Sequence, residues 1–364
     1  MAKEWQHNPI GQKAGAPAAA SDPGSFSWEH DRTQHVVYRG ADNQVHELWL
    51  RQGSEWKYGG SLSMTTGAQM AASNVSGYAW ADDQTQHVVY RGQDNNIHEL
   101  WQRQGQPWKY GGALNARVSA PPAVGDPSGY DWGHDKTQHI VYRGADNQIH
   151  ELWQRKGADW KYGGAINQKL GAPPAAADPA GFAWEGDDTQ HVVYVGQDNQ
   201  IHELWQRQGQ PWKYEGALSS RLGAPAAAGD LIGYAWQKDQ TQHIVYRGAE
   251  GQIQELWLRK GKPWAYGGAL SAKAGGPAAA GDPSAFAWEG DDTQHVVYRG
   301  PDNQIHEIWQ RRGAEWKYGG AINVITGAPA AAGDPSGFAW EGDNTQHVVY
   351  RSVDNQIHEM WFRR

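Results

Sequence analysis

The chain contains no cysteine, which excludes a disulfide framework, a thiolate zinc site and a cysteine nucleophile. It also lacks any run approaching the roughly 18 apolar residues of a membrane-crossing helix. Its start, Met-Ala-Lys-Glu-Trp, has no apolar segment of the kind that directs secretion. The expectation is a protein made in the cytoplasm and not inserted into a membrane, with any export left to a route the sequence does not display. Positive charge is not in excess either. The 32 Lys and Arg are interspersed with 40 Asp and Glu, for a net charge of −8, so no phosphate-tracking surface and no nucleic-acid partner are expected.

Motifs of common catalysts are missing as well. There is no Gly-Lys-Ser/Thr phosphate loop and no Gly-x-Ser-x-Gly elbow. His-Glu occurs in most copies of the repeat described below, but neighbours on a strand face opposite sides and no second His follows at helical spacing, so no metal-protease site is expected. A glycosidase needs two carboxylates across one bond, and Asp42 and its equivalents already serve turns. The reading is a non-enzyme without metal or cofactor.

What is abundant is repetition. The second aromatic of a Phe/Tyr-x-Trp pattern falls at Trp28, Trp80, Trp132, Trp184, Trp236, Trp288 and Trp340, in steps of 52 residues, and seven such steps make the 364 residues of the chain. A fixed period fixes the architecture before any local reading, so residues 1–364 are expected to form one domain of seven units. The 21 Trp amount to three per unit, and 46 Gly and 18 Pro supply turns.

One unit reads as four short strands. Phe286-Ala287-Trp288 is followed by a polar turn at 289–292. His295-Val296-Val297-Tyr298-Arg299 is β-branched and aromatic. Asp302-Asn303 makes a tight turn, residues 305–310 form the third strand and Trp316-Lys317-Tyr318-Gly319 the fourth. The Ala-rich run 330–332 lies among Pro and Gly and is expected to be irregular rather than helical. Neither strand face is cleanly polar: Val296 and Tyr298 oppose His295, Val297 and Arg299, and Ile305, Glu307 and Trp309 oppose His306 and Ile308. A sheet covered on both sides needs neighbours on both sides, which predicts an all-β, seven-bladed β-propeller with four antiparallel strands per blade. The last unit ends at Arg364 without a fourth strand, while Glu4-Trp5 and Gly15-Ala16-Pro17 repeat the pattern of Glu315-Trp316 and Gly327-Ala328-Pro329. The N-terminal strand is therefore expected to complete the last blade and close the ring.

At "HVVYRGPDNQIHEIWQRRGAEWKYGGAIN" the chain resembles, blade by blade, the repeat of fucose-binding propeller lectins of the Aleuria aurantia and Photorhabdus types. The resemblance implies carbohydrate binding without catalysis, in pockets between adjacent blades. It implies a ligand-holding Glu at Glu47, Glu99, Glu151, Glu203, Glu255, Glu307 and Glu359, and a fourth-strand Trp at Trp56, Trp108, Trp160, Trp212, Trp264, Trp316 and Trp5. Where the family has an Arg, this chain has His35, His87, His139, His191, His243, His295 and His347. An imidazole offers one donor and one acceptor instead of a fork of donors, so the hydroxyl pattern it can hold differs. The Arg39, Arg91, Arg143, Arg247, Arg299 and Arg351 series, with Val195 in the fourth unit, is a possible substitute from the same strand face.

Each residue type also has a purely structural reading. The Trp28 and Trp49 types are expected to be packing layers; the Trp56 type is either a ligand platform or a wedge between blades. The Glu must find a partner, either in its own blade's Arg or Thr-Gln-His segment or in a ligand hydroxyl, and both hold if a pocket is pre-built around it. Gln254 for the His46 type and Ala265 for Lys57 mark blade-specific positions. The expected partners are glycans or glycoconjugates, fucose or a related hexose held weakly at many sites, with rings pairing as a possible homo-oligomer. The alternative is an interaction or structural scaffold in which these residues serve only blade packing.

Overall fold

The computed structural model describes residues 4–364; residues 1–3, part of the start read above, lie outside the described residues. The chain forms seven four-stranded antiparallel sheets. Blade 6 is typical. Its inner strand, Ser284–Trp288, is followed by Thr293–Arg299, Ile305–Arg311 and the outer strand Lys317–Ala321. Asn303, at φ 58°, takes the left-handed conformation that the tight turn between the second and third strands requires. The inner strands touch one another in cyclic order around an axis, including the last (Ser336–Trp340) against the first (Gly24–Trp28).

Closure occurs as the sequence predicts. Gln6–Asn8 pairs antiparallel with Ile357–Arg363, placing Gln6 opposite Trp361 and Asn8 opposite Glu359. This N-terminal strand completes the sheet of blade 7 as its outer strand and covers part of the edge of Ile357–Arg363.

Alternation buries both faces, as the mixed pattern demands. Val296 and Tyr298 pack with Tyr234, Val245 and Ile253 of blade 5, whereas Val297 and Ile305 pack with Val348, Tyr350 and Met360 of blade 7. Close approach of blades is set by small residues on the inner strands. Gly181 lies under the Tyr130 ring, where an added Cβ would come 2.1 Å from Cε1.

Two local features differ from the sequence reading. Each outer strand runs into a single helical turn, such as Ile322–Thr326, capped by Gly327 at φ 69°. Five residues are too few to show a helical period, so this element is not legible from pattern. In contrast, the Ala-rich run stays irregular, Ala331 making one bridge to Ser352. The fourth-strand Trp sits just before its strand: Trp316 precedes Lys317–Ala321.

Candidate functional site

The candidate site recurs at the seams between blades, at the end of the blade where the inner strand finishes. On a strand, residues two apart share a face, and antiparallel partners share it too. His295 pairs with Trp309 and with Phe286, Val297 with Glu307, and Thr293 with Arg311. One face of each blade thus carries Thr, His, Glu, Trp and Arg together.

Within this face the histidine and glutamate are joined. His295 Nδ1 lies 2.8 Å from Glu307 Oε1 and its Nε2 lies 2.8 Å from Thr293 Oγ1. The carboxylate can only accept, so Nδ1–H donates to it, while Nε2 shares a hydrogen bond with the threonine hydroxyl, which also lies 3.4 Å from Asp291 Oδ2. The His–Glu pair recurs in all seven blades, from His35–Glu47 at 2.8 Å to His347–Glu359 at 2.8 Å. Each imidazole also stacks on the inner-strand aromatic, as His295 does on Phe286 with centroids 5.3 Å apart. The ring is thereby fixed on three sides and turns the Glu toward the seam. Room for the carboxylate comes from the bulge after Glu307, where a Cβ on Gly319 would sit 2.3 Å from Oε2.

The Trp56 series belongs to the neighbouring blade's Glu rather than its own. Trp56, Trp108 and Trp264 donate Nε1–H to Oε2 of Glu359, Glu47 and Glu203 at 2.8, 3.1 and 2.9 Å. Trp160, Trp212 and Trp316 line the clefts of Glu99, Glu151 and Glu255 without that bond. There the second carboxylate oxygen has no protein partner among the described residues, although Glu99, Glu151 and Glu255 are each 4% exposed. Trp5 packs edge-on to Phe362, 5.0 Å away, in the Glu307 seam.

The Glu255 cleft illustrates the whole. Its volume is about 440 Å³ and its walls are His243, Glu255, Trp257 and Arg259 of blade 5 against Gln294, Gln310 and Trp316 of blade 6. Arg259 is held at the rim by Asp239, with Nη2 2.8 Å from Oδ2. Equivalent clefts of about 400, 280, 280 and 180 Å³ stand at Glu151, Glu203, Glu47 and Glu99. Such volumes overlap the smaller end of small-molecule pockets.

The structure revises the reading of three series. The Trp49 type, expected to be a packing layer, is half-buried and lines the clefts. In five blades a lysine ammonium covers the outer part of its ring, as Lys57 does over Trp49 at 5.2 Å. The Arg51 type, missed in the sequence, stands on the same face, and period-two alternation from Glu47 through Trp49 to Arg51 is the signal that places it there. The Arg39 series does not substitute for the absent family Arg. Arg39 donates to Asn43 Oδ1 (2.9 Å) and to the Ala20 carbonyl (3.0 Å), at the opposite end of the strand. The Trp28 series is 0–2% exposed and forms the cleft floor.

Fold and clefts together define a seven-bladed β-propeller with a repeated cavity between blades. No family model matches the chain, and no curated protein matches it by sequence. Solved structures do share its fold. A lectin from Burkholderia pseudomallei, BP39L, matches with a TM-score of 0.73 and 13% identity over 94% of this chain and 96% of its own. AofleA from Arthrobotrys oligospora matches with a TM-score of 0.60 and 16% identity, over 86% and 88%. A fucose-specific lectin from Aleuria aurantia matches with a TM-score of 0.58 and 17% identity, over 85% and 97%. The Aleuria aurantia lectin is described as six-bladed, and 85% is close to six-sevenths of this chain.

Proposed function

We propose that the chain is a multivalent carbohydrate-binding protein, a lectin without catalytic activity, that holds fucose or a related hexose in the clefts between blades. The observation that carries this reading is the Glu99, Glu151 and Glu255 carboxylate: buried, fixed through one oxygen by a histidine, and free of protein donors at the other. An acceptor fixed at the wall of an open cleft takes its donor from whatever fills that cleft, water or ligand, and a sugar hydroxyl is a donor of the right size. The Trp257 and Trp316 faces suit the apolar side of a pyranose, and the Arg259 guanidinium supplies donors at the rim. The named lectins of like fold support the same reading.

The His, Glu and Trp series are the proposed ligand-holding groups, with each Trp acting on the Glu of the preceding blade. Binding at one such cleft is expected to be weak because a monosaccharide has few atoms. Several rigidly placed clefts facing a glycan-coated surface gain roughly 10² to 10⁴ in avidity.

Calorimetric titration with methyl α-L-fucoside and, separately, with methyl α-L-galactoside tests the reading, using Glu255→Gln and Trp316→Ala as probes. Loss of one binding equivalent with an unchanged unfolding midpoint supports it. Full binding in both variants, or no binding by the parent protein, defeats it in favour of a scaffold.

A further inference from the structure

The seams are not equivalent, and the difference lies on the wall contributed by the following blade. Two positions there face the cleft. One is the Gln of Thr-Gln-His; the other lies between the third-strand Trp and Arg. At the Glu47, Glu99, Glu151 and Glu255 seams the second position is Gln102, Gln154, Gln206 and Gln310. These carboxamides form a latch: Gln294 Nε2–H donates to Gln310 Oε1 (2.6 Å), and Gln310 Nε2–H donates to the Ala314 carbonyl (2.7 Å). Each latch amide still has a lone pair and an N–H to offer a ligand.

At the Glu203 and Glu359 seams that position is Leu258 and Leu50, and the latch is gone. Gln242 and Gln34, 3% and 2% exposed, then have no acceptor for their Nε2–H among the described residues; their enclosed Oε1 atoms lack a donor for a separate reason, the absence of a hydroxyl on the facing Phe182 and Phe338, as is also true of Gln86 at the Glu47 seam. An amide N–H left without a protein acceptor at the cleft wall points to a ligand. At the Glu307 seam Phe362 fills the space, edge-on to Trp288 at 5.4 Å, and Gln346 Nε2–H reaches Glu307 Oε1 at 3.0 Å. That seam is a packed joint.

Resting on the sugar-binding reading, we infer that the ring carries two classes of cleft with different ligand preference. The leucine cleft at Glu203, and the Glu359 seam that carries the same leucine, take a 6-deoxyhexose, whose methyl packs on Leu258 or Leu50 while the freed Nε2–H of Gln242 or Gln34 bonds a ring hydroxyl. The glutamine clefts take a hexose that keeps its hydroxymethyl, because the amide wall satisfies the extra oxygen. A hydroxymethyl against leucine would lose its hydrogen bonds, and a methyl against a glutamine would leave amide capacity unused. The residue between the third-strand Trp and Arg is the specificity determinant.

Methyl α-L-fucoside and methyl α-L-galactoside differ only by the oxygen at C6 and are the probes. Crystals of the full chain are soaked in an equimolar mixture, and occupancy is read cleft by cleft from the presence of density for that oxygen. The expected result is fucoside in the Glu203 cleft and at the Glu359 seam, and galactoside in the glutamine clefts. Leu258→Gln and Gln310→Leu should each reverse their own cleft's preference by roughly tenfold or more. Both substitutions use residues that other blades already carry, so folding is preserved. Gln310→Leu also leaves Gly267 beside Glu255, whereas the Glu203 cleft has Glu215 at that place, which isolates the wall residue from that second difference. One preference shared by all clefts, or preferences unmoved by both substitutions, overturns the inference while the lectin reading stands. Absence of both sugars from every cleft overturns both.

Discussion

At the scale of single residues, the seams show how one side chain dictates its neighbours across a 52-residue step. Tyr130 OH donates to Gln190 Oε1 across the blade boundary at 2.8 Å, and the same bond joins Tyr78 to Gln138 and Tyr234 to Gln294. Where the inner-strand aromatic is Phe, as at Phe26 or Phe182, the facing Gln oxygen has no partner. Tyr130→Phe is therefore expected to lower stability by about 1 kcal/mol, read as a shift in denaturant midpoint with unchanged slope. Gly181→Ala drives a methyl into the Tyr130 ring and should cost about 1–3 kcal/mol, measured the same way. The blade-specific Gln254 is explained too. In five blades His46-type imidazoles bridge Tyr58-type hydroxyls and Asp42-type carboxylates, at 2.7 and 3.0 Å for His46, whereas Gln254 Oε1 accepts from Tyr266 OH at 2.6 Å and Glu250 replaces the aspartate. Alternation along a strand made the shared face of His295, Glu307 and Trp309 legible in the sequence. It did not reveal that Trp309-type rings stay half-open, because their cover is decided by the next blade, which no local pattern encodes.

Among the elements, the N-terminal strand matters most. Only three residues, Gln6–Asn8, pair with Ile357–Arg363, yet Trp5, Ile10 and Ala16 add apolar contacts on both sides of that junction. Removing residues 1–10 exposes a seven-residue edge strand and opens the ring. The expected outcome is a lower, broader unfolding transition and concentration-dependent aggregation, checked by calorimetry and light scattering. His7 adds a specific tie, its Nε2 2.9 Å from His358 Nδ1, where other blades use a tyrosine hydroxyl. The closing strand was legible because Glu4-Trp5 and Gly15-Ala16-Pro17 repeat an internal phrase. The helical turns after each outer strand were not, since a single turn held by its Gly cap and by packing leaves no periodic trace.

Across the whole molecule, the seven-fold plan also builds a ring of acids around the axis. Asp22, Asn74, Asp126, Asp178, Asp230, Asp282 and Asp334 recur at steps of 52. Several accept the backbone N–H of the equivalent residue one blade back, as Asp178 does from Asp126 at 2.8 Å. Arginines offset this charge, with Arg143–Asp178 at 3.2 Å and Arg299–Asp334 at 3.4 Å, but Val195 leaves Asp230 without one. Partial desolvation among the neighbouring acids, which still leaves the side chain reached by solvent, then the Asp178 and Asp282 carboxylates, push Asp230 up to about 7 from 3.8. A folded-state value above the unfolded one means that folding favours the protonated acid. That contribution is complete below pH 4 and is lost as pH rises to about 7. Asp230→Asn should thus remove a decline in stability between those pH values and raise Tm at pH 8 by about 1–2 °C, the effect being small because Asp230 is exposed and screened. Differential scanning across pH 4 to 8 checks it. The same repetition that crowds these acids multiplies the clefts at the other end of the blades, and the most direct measurement concerns those clefts. Titrating the intact ring with methyl α-L-fucoside and, separately, with methyl α-L-galactoside should give saturable heat at roughly millimolar ligand with more than one equivalent per chain in total, falling for at least one of the two sugars when Glu99, Glu151 and Glu255 are all changed to Gln. No heat from either sugar up to roughly 100 mM ligand, or heats from both sugars that survive the triple change undiminished, would contradict a ring built to hold sugars between its blades.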